Sequence, residues 1–364
     1  MPYGSISADL IVGTNGGRIS PENTFGFRNR IINGAMVIDQ RNAGASVTPT
    51  TGVYLLDRWA VETSQNSKFT YGQNLNSATL PTGFSNYLGC QTSTAYTPTS
   101  SDYFLLQQKI EGFNVSDLGW GTANAKTITL SFQVYSSLTG TFGGNIQNGG
   151  ASRFYPFSYS IPTANTWTTI SVTIAGDTTG TWTTNNTSGL IIRYGLGVGS
   201  TYLGTAGSWG STTYFGVTGQ QQVVATASAT FYITGVQLEV GSQATSFDFR
   251  PYGTELALCQ RYFEKSYNQS DVLGTSTMTG AISFIGSTTG AYQPVFFKVP
   301  KRATASTMFI YGSTGVQNTM RNVSSSTDLT ATAGNIGEYG YTMQNTAASA
   351  NAVYAFQYAA QSEL

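Results

Sequence analysis

The sequence predicts an all-β protein: an antiparallel β-sandwich of the jelly-roll type, then a short helix, then a second and smaller β-sandwich. Three observations predict this. Charged residues make up only 9% of the 364, against roughly a quarter in an ordinary soluble domain, and Gly, Ser, Thr, Asn and Tyr stand in their place. Apolar residues recur at every second position in segment after segment. Clusters of Gly, Asn, Asp and Ser separate those segments, with neither βαβ spacing nor a fixed-period repeat.

Along the chain, residues 1–28 come first. "TNGGRISPENTFG" has no periodic apolar face, so this stretch is expected to be an arm. From "NRIINGAMVIDQRNAG" onward strands and turns alternate, and residues 29–252 are expected to form the first sandwich. "TITLSFQVYSS" puts Ile128, Leu130, Phe132 and Val134 on one face. "TTISVTIAG" does the same with Ile170, Val172 and Ile174, and "GLIIRYGLGVG" with Ile192, Tyr194, Leu196 and Val198. The closing strand, "FYITGVQLEVGSQATSFDFRP", starts with Phe231 and Ile233 inward and then changes parity to Val236, Leu238 and Val240. A change of parity needs one extra residue, and Gly235 at the switch predicts a β-bulge. Next, "GTELALCQRYFEKSY" predicts a helix of about ten residues, with Thr254 as N-cap, Glu255 in the first turn and Lys265 near its end. Residues 253–364 are expected to comprise this helix and the second sandwich, with strands at "GAISFIGS", "PVFFKVP", "STMFIYGS" and "AVYAFQYAA". The last alternates Tyr354, Phe356 and Tyr358 with Val353, Ala355 and Gln357.

Composition also excludes function classes. The chain has no histidine and a formal net charge of +0. The commonest general base and zinc ligand are therefore missing, and a nucleic-acid footprint is not expected. Cofactors and metals are expected to be none. No apolar run reaches about 18 residues, which excludes a transmembrane helix. "MPYGSISADLIVG" lacks the basic and apolar regions of a signal peptide. Cys90 and Cys259 are either a disulfide or two buried thiols, and the sequence favours the thiols.

Candidate binding residues are aromatics in turn-rich loops. Trp120 stands between two glycines in "GWGTANAK", and Trp182 lies in "GTWTTNNTSG". Trp209, Tyr202 and Tyr214 lie in and around "LGTAGSWGSTTYFG". Such rings serve as sugar platforms, where C–H faces lie on the ring and neighbouring polar side chains bond hydroxyls. The same rings also cover strand edges or fill subunit contacts, and both readings stand. In "LLDRWAV", Trp59 reads as core and Asp57 with Arg58 as an ion pair at the sandwich edge. Asp102, Asp117 and Asp177 sit in turns, where Asp bonds its own backbone. Carboxylates are sparse and isolated, so no catalytic pair for glycoside hydrolysis is expected.

"NRIINGAMVIDQRNAG", "LLDRWAV", "QQKIEGF" and "FYITGVQLEVGSQATSFDFRPYGTELALCQRYF" together resemble a family of bacteriophage tail-fibre and related virion proteins. The "FYITGVQLE" strand is also similar to that of family 4/9-type carbohydrate-binding modules, which are jelly rolls. The resemblance covers residues 28 to 364. It implies a non-enzymatic virion fibre, homotrimeric, made in the host cytoplasm and carried on the phage tail or particle surface. Its partners would be other virion proteins through the arm and a host surface polysaccharide or lipopolysaccharide through the loops. By the same resemblance alone, Glu239 and Asn33 would be contributors to a structural calcium site. The alternative is a head fibre, capsid decoration or tail-assembly protein that touches only other virion subunits.

Overall fold

The computed structural model describes residues 11–12, 18–19, 28–287, 290–347 and 349–364. The expected arm, residues 1–28, thus lies outside the described residues, apart from Arg28 and a two-residue pairing of β1 (Ile11–Val12) with β2 (Arg18–Ile19).

The first sandwich contains β3 (Tyr54–Leu56), β4 (Trp59–Thr63), β5 (Phe69–Gln73), β6 (Leu88–Thr92), β7 (Tyr103–Glu111), β8 (Ile128–Ser136), β9 (Gly140–Asn148), β10 (Phe154–Ile161), β11 (Thr168–Ile174), β12 (Ser188–Val198), β13 (Leu203–Gly204), β14 (Gly216–Val217) and β15 (Thr230–Val240). One sheet has six strands in the order β10-β9-β12-β7-β4-β3, and the facing sheet has five in the order β11-β8-β15-β6-β5. Every ladder in these two sheets is antiparallel. Strict alternation makes this core. Ile128, Leu130, Phe132 and Val134 are each 2% exposed or less, and Trp59 is fully buried. Burying each such side chain contributes about 1.5–3 kcal/mol.

The parity change in the closing strand is a bulge, as expected. Against β8, Thr234 faces Gln133 and Gln237 faces Ser131, so β15 carries one extra residue there. Gly235 takes φ +60, which costs an L side chain strain. The bulge lies where β15 changes neighbour. Before it, Thr230–Ile233 pair with β6. After it, the N-terminal segment takes over, with Val236 N donating to Gly34 O at 3.0 Å and Arg30 N to Leu238 O at 2.9 Å.

A second bulge, in β12 between Gly195 and Gly197, was not expected. It corrects the reading of Val198. Ile192, Tyr194 and Leu196 enter the core, but Val198 turns to the outer face and packs with Leu105, Phe154 and Phe215.

The one α-helix among the described residues is α1 (Tyr252–Gln260). Thr254 is not its cap. Pro251 holds that position at φ −53, a value its ring imposes. Lys265 lies beyond the helix in β16 (Phe263–Lys265). Cys90 and Cys259 are both free and buried, Cys90 in the main core and Cys259 against Ile32, Ile38 and Tyr262.

The second sandwich adds β17 (Ile282–Ile285), β18 (Ala291–Phe296), β19 (Thr307–Tyr311), β20 (Thr319–Asn322), β21 (Thr327–Thr330), β22 (Thr332–Gly334), β23 (Gly340–Asn345) and β24 (Val353–Gln361). β24 is the axis of one sheet: β17 and β20 flank its first half, β16 and β19 its second. β18-β23-β22 form the other sheet. The strand expected at "PVFFKVP" starts earlier and stops at Phe296. Tyr354, Phe356 and Tyr358 are 0, 0 and 3% exposed within their own domain. The apolar alternation of β24 is therefore satisfied inside its own domain.

Several buried ion pairs lie where the two sandwiches meet. Arg58 is not paired with Asp57; its guanidinium lies 3.5 Å from the Tyr262 ring centroid and pairs with Glu363. Asp57 instead accepts from Gln40 N and Nε2 at 2.7 and 2.6 Å. Glu111 binds Arg261 at 2.6 Å, and the fully buried Glu264 binds Lys301 at 2.5 Å.

Candidate functional site

The structure brings three of the five candidate rings together. Trp120, Trp182 and Trp209 pack edge to face, with centroids 4.6, 5.3 and 5.4 Å apart. Each indole N–H donates to a backbone carbonyl: Trp120 to Lys126 at 2.7 Å, Trp182 to Thr179 at 3.2 Å, Trp209 to Ala175 at 2.7 Å. Trp120 is 7% exposed, and the other two pack partly buried on the main core. The trio stands at the end of the sandwich next to the second domain, since Asn186, four residues past Trp182, exchanges hydrogen bonds with Arg302.

Tyr202 and Tyr214 lie apart from that trio, on the crossing that carries β13 and β14. Tyr214 is half-buried, and a Cβ at Gly204 would come within 2.5 Å of its ring. Tyr202 is half-buried and joins two residues that sequence reasoning missed, Tyr103 and Phe215. The three ring centroids lie 4.8, 5.4 and 5.8 Å apart. The bulge in β12 makes this group, because Val198 turned outward is its support.

Beside these rings lies a polar array on the outer face of the six-stranded sheet. Arg193 projects from β12 over Phe215, its guanidinium 5.0 Å from the ring centroid. It binds Glu62 of β4 at 2.7 Å and Gln107 of β7 at 3.1 Å, and it also donates to Gln147 of β9. Arg193 and Gln107 are each 5% exposed, whereas the Glu62 side chain is 28% exposed. Arg193 thus holds a reachable carboxylate in place. Asn145, opposite Arg193 in the ladder, leaves its buried Oδ1 without a partner among the described residues. Burial raises the pKa of Tyr103, and the nearby Glu62 carboxylate adds to it. Burial lowers that of Lys109, the next outward residue of β7 after Gln107.

Strand register fixes where the group stands. Tyr103 pairs with Val198 at one end of the β7–β12 ladder and Glu111 with Ser188 at the other. Glu111 is held by Arg261 and Tyr262 at the domain junction. Eight residues of strand separate Tyr103 from that junction by roughly 26 Å. The sequence signal was the polar phase of the strands: Gln107, Asn145, Gln147 and Arg193 occupy positions that read as plain solvent face.

A third aromatic group was also missed. Tyr87, Tyr232 and Tyr135 stack across the other sheet at 4.9 and 5.1 Å, with Trp167 against them. Their faces cover one another.

The turn aspartates, and the Glu239 and Asn33 of the implied calcium site, have internal partners. Asp177 binds Arg153 at 2.6 Å, Asp117 binds Arg30 at 2.7 Å, and Glu239 accepts from Thr245 and Gln237. Asp102 accepts from Ser64, Tyr96 and Thr99. Asn33 bonds Ile38 and Asp57 backbone. Among the described residues no group of three or more ligating side chains gathers.

No family model and no curated protein matches the chain. Among solved structures it is similar to the enzymatically active domain of bacteriophage CBA120 tailspike protein 4, at 13% identity and TM-score 0.31 over 58% of this chain. It spans 21% of that tailspike chain. It is also similar to a CBM4 structure, at 13% identity and TM-score 0.29, over 56% of this chain and 99% of that one. A third likeness is to the family 11 carbohydrate-binding module from Clostridium thermocellum with a β-1,3-1,4-mixed-linked tetrasaccharide, at 12% identity and TM-score 0.27, over 55% and 98%.

Proposed function

We propose that the protein is a non-enzymatic virion fibre subunit of a bacteriophage, and that the first sandwich recognises a glycan on the host surface. The observation that carries this reading is the Tyr103–Tyr202–Phe215 rim beside the Glu62–Arg193–Gln107 array. Half-buried Tyr103 and Tyr202, packed on the buried Phe215, offer an apolar face to a sugar's C–H groups. Glu62, held by Arg193, accepts from hydroxyls. The rim stands at the end away from the second domain, where a particle-bound protein would meet a cell. Among the described residues the carboxylate nearest in sequence to the rim, Asp102, is engaged by Ser64, Tyr96 and Thr99. That arrangement supports binding rather than bond cleavage, which pairs two carboxylates.

In this reading residues 1–28 attach the protein to the particle. The oligomer is a trimer formed through the second domain. Its edge strand β18 exposes Tyr292 and Phe296 at 51 and 81%, with Tyr339 beside them at 68%, and such a patch favours a subunit contact. The same patch is what a purely structural decoration protein would need, and that is the second reading.

Fluorescently labelled protein starting at Phe27 separates the two. The fibre reading expects it to bind host cells, to release no new reducing ends from host polysaccharide, and to fail to enter particles. Absence of cell binding by both this and the full chain would leave the decoration reading. Release of reducing ends would make the protein an enzyme.

A further inference from the structure

The stretch after Gly235 builds a second concavity that the rim does not use. Phe84 sits where a Cβ at Gly235 would be, 2.6 Å from that position. Phe247 and Phe249 of the following linker pack on it, with centroids 5.2, 5.3 and 4.8 Å apart. These rings wall a cavity of about 340 Å³, closed by Ala35, Val37 and the Arg250–Glu255 pair.

Hydrogen-bonding capacity inside it is nearly all committed. Asn29 uses its amide on Val236 O and its oxygen on Ile31 N and Leu238 N. Glu255 accepts from Asn33 N and Arg250. The reachable polar groups lie at the mouth. Asp248 and Ser85 line it there: Ser85 is exposed, and the Asp248 side chain is 31% exposed and 3.5 Å from Arg28, which lies outside the lining. An occupant must therefore be apolar where it goes deep and hydroxylated where it meets the mouth. Its size is limited to about one ring, because the cavity is at the small end of ligand pockets. A hexose would bury its 6-hydroxyl without a partner, at a cost. A 6-deoxy sugar puts a methyl group there.

We propose that this pocket binds a single 6-deoxyhexose unit, its methyl group and apolar face against Phe84, Phe247 and Phe249 and its hydroxyls toward Asp248 and Ser85. The proposal shares the sugar chemistry of the function proposed above but none of its residues, so the two fail separately. Tyr202→Ala leaves this pocket intact, and Phe249→Ala leaves the rim intact.

Saturation-transfer NMR on the full chain, with methyl α-L-rhamnoside against methyl α-L-mannoside and methyl α-L-fucoside against methyl α-L-galactoside, tests it. At least one deoxy sugar should bind about tenfold or more tightly than its 6-hydroxy partner, the discrimination a pocket gives for one such group. Phe249→Ala, at a ring 57% exposed and so safe for folding, should weaken that binding at least tenfold, and Asp248→Asn should weaken it as well. Equal binding within both pairs, no binding of either deoxy sugar, or binding unchanged in both variants overturns the proposal. So does saturation by N-acetyl-phenylalaninamide with neither deoxy sugar, which would make the pocket a seat for another protein's apolar side chain.

Discussion

At Gly235 a single hydrogen side chain decides the parity of a whole strand. Its φ of +60 and the Phe84 ring 2.6 Å from its missing Cβ both exclude a larger residue. Gly235→Ala should cost about 2 kcal/mol, from backbone strain and overpacking together. Gly253→Ala, in the helix with nothing within 4 Å, should be neutral or stabilising by up to about 1 kcal/mol. Urea midpoints of the two variants check this. Two carboxylates give a pH signature of opposite sign. Burial pushes Asp57 up to about 6, against the ordinary 3.8. The folded chain then holds a proton there that the unfolded chain has lost, so this group's contribution improves as pH falls through 6 toward 4. At Asp102 burial acts upward, but hydrogen bonds from Thr99, Ser64 and Tyr96 outweigh it and hold the carboxyl well below its usual range. Its contribution is full above the unfolded value and is lost as pH falls through the lower folded one. Wild type should therefore gain on Asp57→Asn as pH drops from 7 to 5. Its advantage over Asp102→Asn should shrink as pH drops from 5 to 3. Stability curves moving in the same direction for both would contradict these assignments.

Elements were legible wherever burial on one face wrote a period of two into the chain. β8, β11 and the bulged β15 follow from alternation alone, because each has a fully apolar inner phase. β20, β21 and β22 did not, since "TMRN", "TDLT" and "TAG" are too short and too polar to carry a period. Val198 was misassigned because a bulge between two glycines leaves no apolar mark. The start of the helix was missed because Thr254 looked like a cap while Pro251 supplied the geometry. The candidate rings were legible as types but not as groups: proximity of Trp120, Trp182 and Trp209 depends on loops whose paths sequence does not fix, and Tyr103 gave no signal outside its strand. Nor did the C-terminal segment announce its role. Glu363 reaches back to Arg41 at 2.8 Å and to Arg58, which is 1% exposed. Glu363→Gln strands a buried guanidinium and should cost about 3 kcal/mol or more. Arg321→Ala, whose partner Asp328 is half-exposed like itself, should cost under about 1 kcal/mol. Equal losses in thermal unfolding would show that the tail contact contributes nothing special.

For the whole molecule, function follows from how two sandwiches are joined. A chain with 17 basic and 17 acidic residues places several buried ion pairs at the junction, whereas the far end of the first sandwich carries rings, amides, the Arg193–Glu62 pair and the hydrogen-bonded Asp102. In the proposed function, that distribution separates a fixed end from a recognising end. In that reading the Tyr103–Tyr202–Phe215 rim binds host glycan, while the tryptophan trio closes the sandwich. Binding isotherms on immobilised host surface polysaccharide, for wild type, Tyr202→Ala and Trp182→Ala plus Trp209→Ala, test it most directly. The account predicts saturable binding by wild type, at least about tenfold weaker binding by Tyr202→Ala, as loss of a stacking ring implies, and near-wild-type affinity with lowered thermal stability for the tryptophan double variant. Unchanged affinity in Tyr202→Ala with loss of binding in the double variant would contradict it and place recognition on the tryptophans.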